Sequence, residues 1–456
     1  MCRIIVGNAK ECVVSVTSVS NFCFYGSFFA FFLFGACESL FKCIFLCIKT
    51  HSCFKQNIAT MRNCLLNLTM SLLIFFSCEN NNYRDDIDAD MSVSITPSED
   101  VLRMSTLFQT HYDMIVPTGV DLTTVSKVLM LDSVMIVTGK SFEGDAHLFK
   151  RSGEYLETLI KRGQGPNEAM SVWAVKIYQN DIYFLVNAGT EIMRYSLERN
   201  DFVDRFRLPA EIIAVADFEI MDNDTFIFYK NQTGRLENEY RLYVYKRKSN
   251  KIVDRCLPLP SKATEYLSFA QKDCLYKRDG KIFFYEVFQK GIYELTKEGL
   301  KGYIAFKDNK YVMPDKELYG NYTFDSFIDF CMRSPYIWTH RAMYEGPRFV
   351  MSNYMYKNEY YWNVIDKNKH LSQSYHEIED DLLFEGRFLI EDYLYQTNIQ
   401  GSARFFTLAY DDLETMLQSK SKDGMDAYWI KHKQLWEVYK SGNEDTNDLI
   451  IVFYEK

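Results

Sequence analysis

The sequence predicts an all-β fold, a six-bladed β-propeller with a short C-terminal helix and a closing strand. Three observations support this class. Aromatic residues make up 16% of the 456 residues, with 32 Tyr and 35 Phe, and both types fit pleated surfaces well. From about residue 107 onward, short apolar runs recur in pairs at intervals of roughly fifty residues, close to one four-stranded blade. Helical periodicity is absent from this region before residue 426.

Each blade is predicted from two apolar runs separated by turn residues or an insertion. A small sheet of this kind cannot bury both of its faces alone, and stacking the sheets around an axis covers them. The six predicted pairs are Val134–Val137 with His147–Phe149, Ile182–Leu185 with Ile192–Tyr195, Phe226–Phe228 with Leu242–Tyr245, Ile282–Tyr285 with Gly291–Tyr293, Phe349–Met351 with Tyr360–Trp362, and Phe388–Ile390 with Phe405–Leu408.

The C-terminal residues predict the closure of the ring. An apolar stripe within Asp426–Tyr439 has helical spacing. Leu449–Tyr454 then predicts a strand that completes a blade and hides an edge that otherwise invites aggregation. Two stacked β-sandwich domains are the alternative, but no Pro- or Gly-rich linker divides residues 107–456. We therefore predict one ring.

The N-terminal region predicts export and a lipid anchor. Met61-Arg62-Asn63 is a short positive segment, and the apolar Cys64–Phe76 follows it. The small residue Ser77 precedes Cys78, and the chain then becomes polar at once. This order is typical of a bacterial lipoprotein signal, in which the cysteine thiol is acylated and becomes the mature N-terminus. We predict a signal peptide at 61–78 and an outer-membrane lipoprotein of the cell envelope, periplasmic or surface-exposed.

Residues 1–60 are predicted to be a non-native or unstructured extension, with translation beginning at Met61. Two alternatives remain open: a lipoprotein junction at Cys37, and a membrane span within residues 22–48, where Glu38 and Lys42 are costly. Residues 79–106 are predicted to be an acidic tether, and residues 107–456 the propeller. A calcium loop beginning Asp86-x-Asp88-x-Asp90 is the weaker interpretation of the tether, because Met91 replaces the glycine of such a loop and Pro97 its terminal Glu.

Charge and cysteine distribution exclude several classes of function. After residue 78 the chain has 46 basic and 59 acidic residues, a net charge of −13. This balance argues against nucleic acid as a partner, because phosphate binding requires clustered Lys and Arg. Nine of the 12 cysteines lie in residues 1–78, and the remaining three predict neither a zinc site nor a disulfide framework. We predict no metal and no cofactor.

Lys161–Ala169 contains the pattern Gly163-x-Gly165-Pro166-x-Glu168. This motif resembles a signature of the six-bladed β-propeller lipoproteins of Bacteroidota, which are similar in architecture to NHL-repeat propellers. The strand ending in Phe453-Tyr454 is also similar to the C-terminus of that family. The resemblance covers about 350 residues and implies a fold and an envelope location, without a general enzymatic activity. An association with nutrient uptake is implied by the family's setting.

The candidate binding residues are charged and flank turns or insertions. Arg162 and Glu168 flank the glycine motif, whose first role is a tight turn because Gly163 and Gly165 permit unusual backbone angles. The others, which lie in the longest interval between repeats, are His340, Arg341 and Arg348. Aromatic residues of the type that stacks on sugar rings are Trp173, Tyr336, Trp338 and Tyr344, although core packing explains most aromatic residues here.

The sequence therefore predicts a lipid-anchored, non-enzymatic propeller that binds a ligand or partner at one mouth of the ring. The partner is a glycan, a peptide or an envelope protein, and the membrane is contacted through the lipid. No catalytic residue is assigned, since no Gly-x-Ser-x-Gly motif occurs. A carbohydrate-active enzyme, a lyase or glycosidase with its site in the central channel, is the alternative, and a structural scaffold is the third class.

Overall fold

The structure is a computed structural model, which describes residues 88–122, 124–139, 145–230, 240–259, 266–267, 273–288, 290–307, 310–390, 393, 395–443 and 445–456. For residues 339–343 and 395–397 the backbone alone is described. The predicted extension, signal peptide and acylated Cys78 lie outside the described residues. Within those residues, none of the helices combines the length and the apolar character needed to span a bilayer.

The described strands form a propeller of seven blades, six with four or five strands and one with three. The blades are numbered in the chain order of their inner strands. Blade 1 contains Lys127–Met130, Val134–Thr138, Ala146–Lys150, Tyr155–Arg162 and the short Glu168–Ala169. Blade 2 contains Val172–Tyr178, Asp181–Val186, Glu191–Ser196 and Asp201–Arg207. Blade 3 contains Asp217–Ile220, Thr225–Tyr229, Tyr240–Lys246 and Lys251–Pro258.

The remaining blades include strands from the N-terminal part of the chain. Blade 4 contains Leu275–Arg278, Lys281–Phe284, Gly291–Thr296 and Gly299–Phe306, with Ala89–Val93 at its outer edge. Blade 5 contains Trp338–Glu345, Phe349–Tyr356, Glu359–Asp366 and Leu371–Tyr375. The small blade 6 contains Val101–Arg103, Glu377–Asp380 and Gly386–Leu389. Blade 7 contains Tyr395–Gln400, Ala403–Leu408, Leu449–Glu455 and Phe108–Ile115.

The predicted number of six blades is wrong, and the sixth predicted pair explains the error. The first five pairs of apolar runs are neighbouring strands of one sheet, as predicted. The sixth pair joins two different blades, because Phe388 lies opposite Ile378 in blade 6 and Phe406 lies opposite Ile451 in blade 7. Blade 6 escaped detection because its strands are short and one of them comes from the N-terminal segment.

The predicted closing strand is confirmed. Leu449–Glu455 lies in blade 7 between Ala403–Leu408 and the N-terminal strand Phe108–Ile115. Its partners are antiparallel on both sides, with Ile451 opposite Phe406 and Met114. Strands from the two ends of the described chain therefore complete one blade.

The predicted boundary between tether and propeller is wrong. Ala89–Val93 pairs in parallel with the outer strand of blade 4, and Val101–Arg103 pairs in parallel with Glu377–Glu379 of blade 6. We call residues 88–107 the strap. The charges of the strap predicted a solvated segment, but its buried side chains are apolar and mostly two residues apart, so it packs as a strand. The buried side chains are Met91, Val93, Ile95, Leu102, Met104 and Leu107.

Helices occur in the connections between strands. The predicted helix within 426–439 is present as two helices, Ala427–Lys431 and Lys433–Ser441, which are separated at His432 (φ −111°, ψ 49°). The part of the chain that the structure describes contains three further α-helices that were not predicted, Asp315–Leu318, Phe324–Arg333 and Tyr410–Leu417, and short 3-10 helices at Met104–Thr106 and Ala210–Ile212.

The core lies between neighbouring blades. Ile136 and Ile160 of blade 1, for example, belong to one buried cluster with Phe184 and Met193 of blade 2. Burial of this kind on both faces of each sheet is what drives the blades together.

Candidate functional site

The topology divides the connections of the six larger blades between two faces. In a four-stranded antiparallel sheet, the first and third turns lie at one end, and the second turn and the link to the next blade lie at the other. The turns at the first end, such as 179–180, 247–250 and 297–298, have two to four residues. The connections at the other end include 307–337 and 409–448, which carry the five α-helices found within the described residues. We call these ends the short-turn face and the long-loop face.

The long-loop face carries an aromatic cluster over blades 3 to 5, which we call the aromatic cap. Its members come from the connections 259–274, 285–290 and 307–337 and from the start of blade 5; they are Tyr266, Phe288, Tyr319, Tyr322, Phe327, Phe330, Tyr336 and Trp338. The ring centroids of Tyr266 and Phe327 are 4.8 Å apart, and those of Tyr322 and Phe330 are 5.4 Å apart. The Tyr266 hydroxyl donates to the carbonyl of Leu318 at 2.7 Å.

Local sequence fixes the helix that supports the cap. At the start of Phe324–Arg333, the Thr323 hydroxyl accepts a hydrogen bond from the Ser326 amide, and the Ser326 hydroxyl accepts one from the Thr323 amide. Pro335 disfavours a helical conformation at Ser334, which is extended (ψ 157°) and ends the helix. The helix therefore has a defined start and end.

The cap and the helix Phe324–Arg333 that supports it present apolar surface to solvent. Phe324 is 45% exposed and Met332 is 40% exposed on the helix, and Tyr322, Phe330 and Tyr336 are partly exposed. Beneath them Trp338 is buried, and its indole N–H has no hydrogen-bond partner. Partly exposed aromatic rings packed over buried ones are typical of a binding surface.

Charged side chains join the inner strands of blades 2, 3 and 4. The Lys176 ammonium lies 3.1 Å from Asp217 and 3.8 Å from Glu219, and it donates to the carbonyl of Leu275 at 2.6 Å. All three charged groups are buried. Burial raises the pKa of Glu219, whereas the Asp217 and Glu219 carboxylates outweigh the burial of Lys176 and raise its pKa.

A second charged cluster lies nearer the short-turn face. The buried Glu345 carboxylate accepts hydrogen bonds from the Tyr276 hydroxyl at 2.9 Å, the Tyr303 hydroxyl at 2.8 Å and the Lys367 ammonium at 2.6 Å. Arg278 lies 3.6 Å away. These groups come from blades 4 and 5, so Glu345 is a junction between two blades and its oxygens are occupied.

The ring closure contains a fully buried ion pair. The Arg404 guanidinium of blade 7 lies 2.6 Å from the carboxylate of Glu455, and both side chains have no exposed surface. The other carboxylate oxygen accepts from the backbone amides of Arg348 and Phe349 in blade 5. Gly346 is required beside them, because a Cβ there would lie 1.9 Å from the carboxylate.

A small cleft remains where the inner strands of blades 1 and 2 meet the start of blade 4. It has a volume of about 20 Å³ and is lined by the Lys127–Asp273 ion pair and by residues that include Thr138 and Trp173. This volume suits about one water molecule. A sugar ring does not fit in it.

The glycine motif forms a turn whose polar groups are occupied by the chain itself. The Glu168 carboxylate accepts from the Gly165 amide at 2.8 Å, and Arg205 of blade 2 donates to the carbonyls of Gly165, Pro166 and Glu168. The Arg162 side chain is exposed beside this turn, on the long-loop face. The structure therefore favours a structural role for the motif, and a ligand contact at Arg162 or Glu168 stays a prediction.

The structure does not bring the other candidates together on one surface. His340 and Arg341 lie in the first half of the inner strand of blade 5, at a register irregularity, and their side chains are not described. Arg348 lies in the turn 346–348 of the short-turn face, where its guanidinium contacts Asp366 at 2.7 Å. Among the described residues, no group of three His, Cys, Asp or Glu side chains is arranged to hold a metal ion.

The aromatic cap was missed as a unit, although two of its members, Tyr336 and Trp338, were noted in the sequence. The usable signal was the length of the connection 307–337 together with its high aromatic content. Trp173 is partly buried beside the cleft, and Tyr344 is buried, so core packing accounts for Tyr344.

One solved structure supports the fold, and two others are similar over part of the chain. A putative exported protein from Bacteroides fragilis NCTC 9343 has a solved structure that is 17% identical, with a TM-score of 0.62 over 80% of this chain and 99% of that chain. The extracellular domain of a putative one-component system from B. thetaiotaomicron is 13% identical, with a TM-score of 0.32 over 58% of this chain and 29% of that chain. The WD40 repeats of RRP9 are 7% identical, with a TM-score of 0.38 over 75% of this chain and 98% of that chain. No curated protein matches the sequence.

The family is given by a match of residues 122–454 to a family model described as "Domain of unknown function (DUF4934)". The match supports neither an NHL-like propeller nor a six-bladed one. Since it spans more than half of the chain, this protein belongs to the DUF4934 family.

Proposed function

We propose that this protein is an exported, lipid-anchored propeller of the cell envelope that binds a ligand or partner through its long-loop face, without catalysis. The observation that carries the proposal is the contrast between the two regions of the ring. The inner strands of blades 2 and 3 are joined by buried paired charges, whereas the aromatic cap and its helix expose apolar surface over buried aromatic rings.

Four buried carboxylates of the described residues are poorly placed for glycoside cleavage. That chemistry needs two carboxyl groups on either side of a sugar, with room for the substrate between them. Asp217 and Glu219 are instead buried around the same lysine, and Glu345 and Glu455 are each held by several donors. The adjoining cleft suits about one water molecule.

The envelope location is supported by the order of residues 61–78 and by the fold shared with an exported protein. Acylation at Cys78 is tested by intact-mass analysis of the membrane fraction. We expect the mass of a diacylglycerol on a chain beginning at Cys78, and we expect Cys78→Ser to abolish it. Cys64→Ser, which changes a cysteine inside the signal peptide, is the matched control and should leave acylation intact. An unmodified mature chain would exclude the anchor.

Binding at the aromatic cap is tested by thermal shift against panels of glycans and peptides, since a ligand of the native state raises its apparent stability. The double variant Phe324→Gln/Met332→Gln should abolish any shift that the wild type shows. Val253→Thr changes an exposed apolar residue of blade 3, 50% exposed, and should keep the shift. A shift that survives in the double variant would place binding elsewhere.

A further inference from the structure

A buried histidine, His432, joins the helices Ala427–Lys431 and Lys433–Ser441, which we call the helix pair. Its side chain is almost fully buried, with 3% of the residue exposed. The ring nitrogen Nδ1 lies 2.8 Å from the hydroxyl of Tyr112, in the outer strand of blade 7. The other nitrogen, Nε2, lies 3.8 Å from the carboxylate of Glu385, in a turn of blade 6. The imidazole is therefore at the contact between the helix pair and two blades.

The surroundings of the ring suit a neutral imidazole. The Tyr112 hydroxyl can donate to Nδ1 or accept from it, so this contact serves either neutral tautomer. Nε2 is buried and has no hydrogen-bond partner. The Glu385 carboxylate is beyond hydrogen-bonding distance of Nε2, and the ammonium of Lys431 already pairs with the same oxygen.

Protonation of His432 creates a group that this site does not accommodate. An imidazolium has two N–H donors, so Nε2 would carry a buried N–H without an acceptor. Burying an unpaired charge costs much more free energy than burying a neutral ring. The ammonium of Lys431 is a second positive charge beside it. Burial, followed by this repulsion, lowers the pKa of His432.

The titratable groups that face the ring from the described neighbouring elements are neutral, occupied or positive. Burial raises the pKa of Tyr112 to about 12 and also raises that of Tyr428, whose ring centroid is 4.7 Å from that of His432, so both hydroxyls are neutral. The Asp380 carboxylate accepts from three backbone amides and a tyrosine hydroxyl. The Lys420 ammonium lies 4.5 Å from the Tyr428 ring centroid and adds positive charge.

From this geometry we infer that His432 makes the docking of the helix pair on blades 6 and 7 sensitive to pH. The neutral ring keeps the helix pair docked, and the protonated ring favours its release. Release would expose apolar side chains that docking buries, Trp429 and Leu435 among them. Acid therefore changes the surface of the connection 409–448 on the long-loop face. This regulation goes beyond the proposed binding function and requires neither the lipid anchor nor the aromatic cap.

The direction and size of the effect follow from proton linkage. In the released state the imidazole is in water and has its ordinary pKa of about 6.5, whereas the docked state binds the proton less tightly. Docking is therefore most stable above about pH 6.5 and is weakened as the pH falls below that value. Between about pH 7.5 and about pH 5.5 the population of the released state should rise by up to about ten-fold.

Hydrogen exchange in the purified full chain measures this release. Protection factors, which correct for the intrinsic effect of pH, are compared at the two pH values for amides of the helix pair, such as that of Trp436, which donates to the carbonyl of His432 at 3.0 Å. We expect protection there to fall by about five- to ten-fold in acid. Protection in Phe324–Arg333, a helix without histidine, should stay the same.

Two histidine variants assign the effect. In His432→Gln the fall in acid should disappear, because glutamine is neutral at both pH values. His111→Gln is the matched control, since the His111 side chain is 74% exposed, and it should keep the fall. A fall that persists in His432→Gln, or protection that increases in acid in the wild type, would overturn the inference.

A third variant changes the charge balance and leaves the buried ring intact. The Lys431 side chain is 54% exposed, and Lys431→Met frees the Glu385 carboxylate to pair with an imidazolium. The pKa of His432 should then rise, and the fall in protection should become smaller. An undiminished fall in this variant, or a His432 pKa of about 6.5 or more in an NMR titration of the wild type, would also overturn the inference. Neither measurement depends on the folding of His432→Gln.

Discussion

Replacing Glu455 by Gln should destabilise the propeller more than either Glu298→Gln or Glu219→Gln does. Glu455 of the closing strand links blade 7 to blade 5, since one oxygen pairs with Arg404 of blade 7 at 2.6 Å and the other accepts from the Phe349 amide of blade 5 at 3.0 Å. Both charged side chains have no exposed surface. The amide of a glutamine would leave the Arg404 charge buried without a counter-charge.

The expected cost is about 3–5 kcal/mol, the range found when one partner of a buried ion pair is removed. Unfolding entropy is about 2.1 cal/mol/K per residue, so for a body of about 370 residues this corresponds to a fall in Tm of about 4–6 °C. Glu298→Gln, at an exposed turn, is the matched control and should change Tm by less than 1 °C or so.

A double variant separates the charge effect from a general packing defect. Arg404→Met removes the uncompensated charge, and the glutamine carbonyl at 455 can still accept from the amides of Arg348 and Phe349. The double variant should therefore be more stable than Glu455→Gln alone, as found when buried ion pairs are replaced together. Thermal and urea unfolding of the wild type, the two single variants and the double variant supply a double-mutant cycle. A Tm for Glu455→Gln within 1 °C or so of wild type, or additive effects in the double variant, would refute the reasoning.

Three further predictions concern the strap, the central charges and the glycine motif. Val93→Asp should lower Tm by several degrees, because it buries a charge between blades 4 and 5, whereas Ser92→Asp at the exposed neighbouring position should not; equal effects would contradict the packing of the strap. Burial raises the pKa of Glu219 above its ordinary value of 4.5, so the native state holds this proton more tightly than the unfolded state does. The stabilisation is present at low pH and is lost as pH rises from about 4.5 through the raised pKa, so the Tm of wild type should fall relative to that of Glu219→Gln over this range, and the opposite trend would refute it. Glu168→Ala removes the acceptor of the Gly165 amide and should cost about 1–3 kcal/mol without altering binding at the aromatic cap, whereas lost binding at unchanged stability would make the motif a ligand site.

The sequence predicted the hairpins well because their pairing is local. Ile182–Leu185 and Ile192–Tyr195 are joined by a short turn, and Leu185 lies opposite Ile192 as the alternation of apolar residues requires. The sixth pair failed because the true neighbour of Phe388 is Ile378, in a strand whose other residues, Glu377, Glu379 and Asp380, are acidic. Composition favoured a loop there, and tertiary pairing made it a strand.

The strap was misread for a related reason. Asp88 and Asp90 gave the segment a solvated character, and the spacing of Met91, Val93 and Ile95 at every second residue was given less weight. The strand with which this segment pairs lies more than two hundred residues away in the chain. No local pattern identifies such a partner, so the prediction of a tether followed from charge alone.

Charge was also a poor guide to the site, and the structure explains why. Arg348 was selected for its charge near an insertion, yet its guanidinium pairs with Asp366 within its own blade. In a ring whose inner strands are joined by ion pairs, the charged residues that stand out in the sequence are often the ones that hold blades together.

The length of a connection carries different information, because a two-residue turn has little surface to offer and a connection of thirty or more residues must fold on something. The two longest connections, 307–337 and 409–448, both lie on the long-loop face and carry its most exposed large apolar side chains, Met425 and Ile430 in the second and Phe324 in the first. Connection length, combined with the alternation of ends in an antiparallel sheet, therefore points to the same face as the aromatic cap, and it does so without reference to any charged residue.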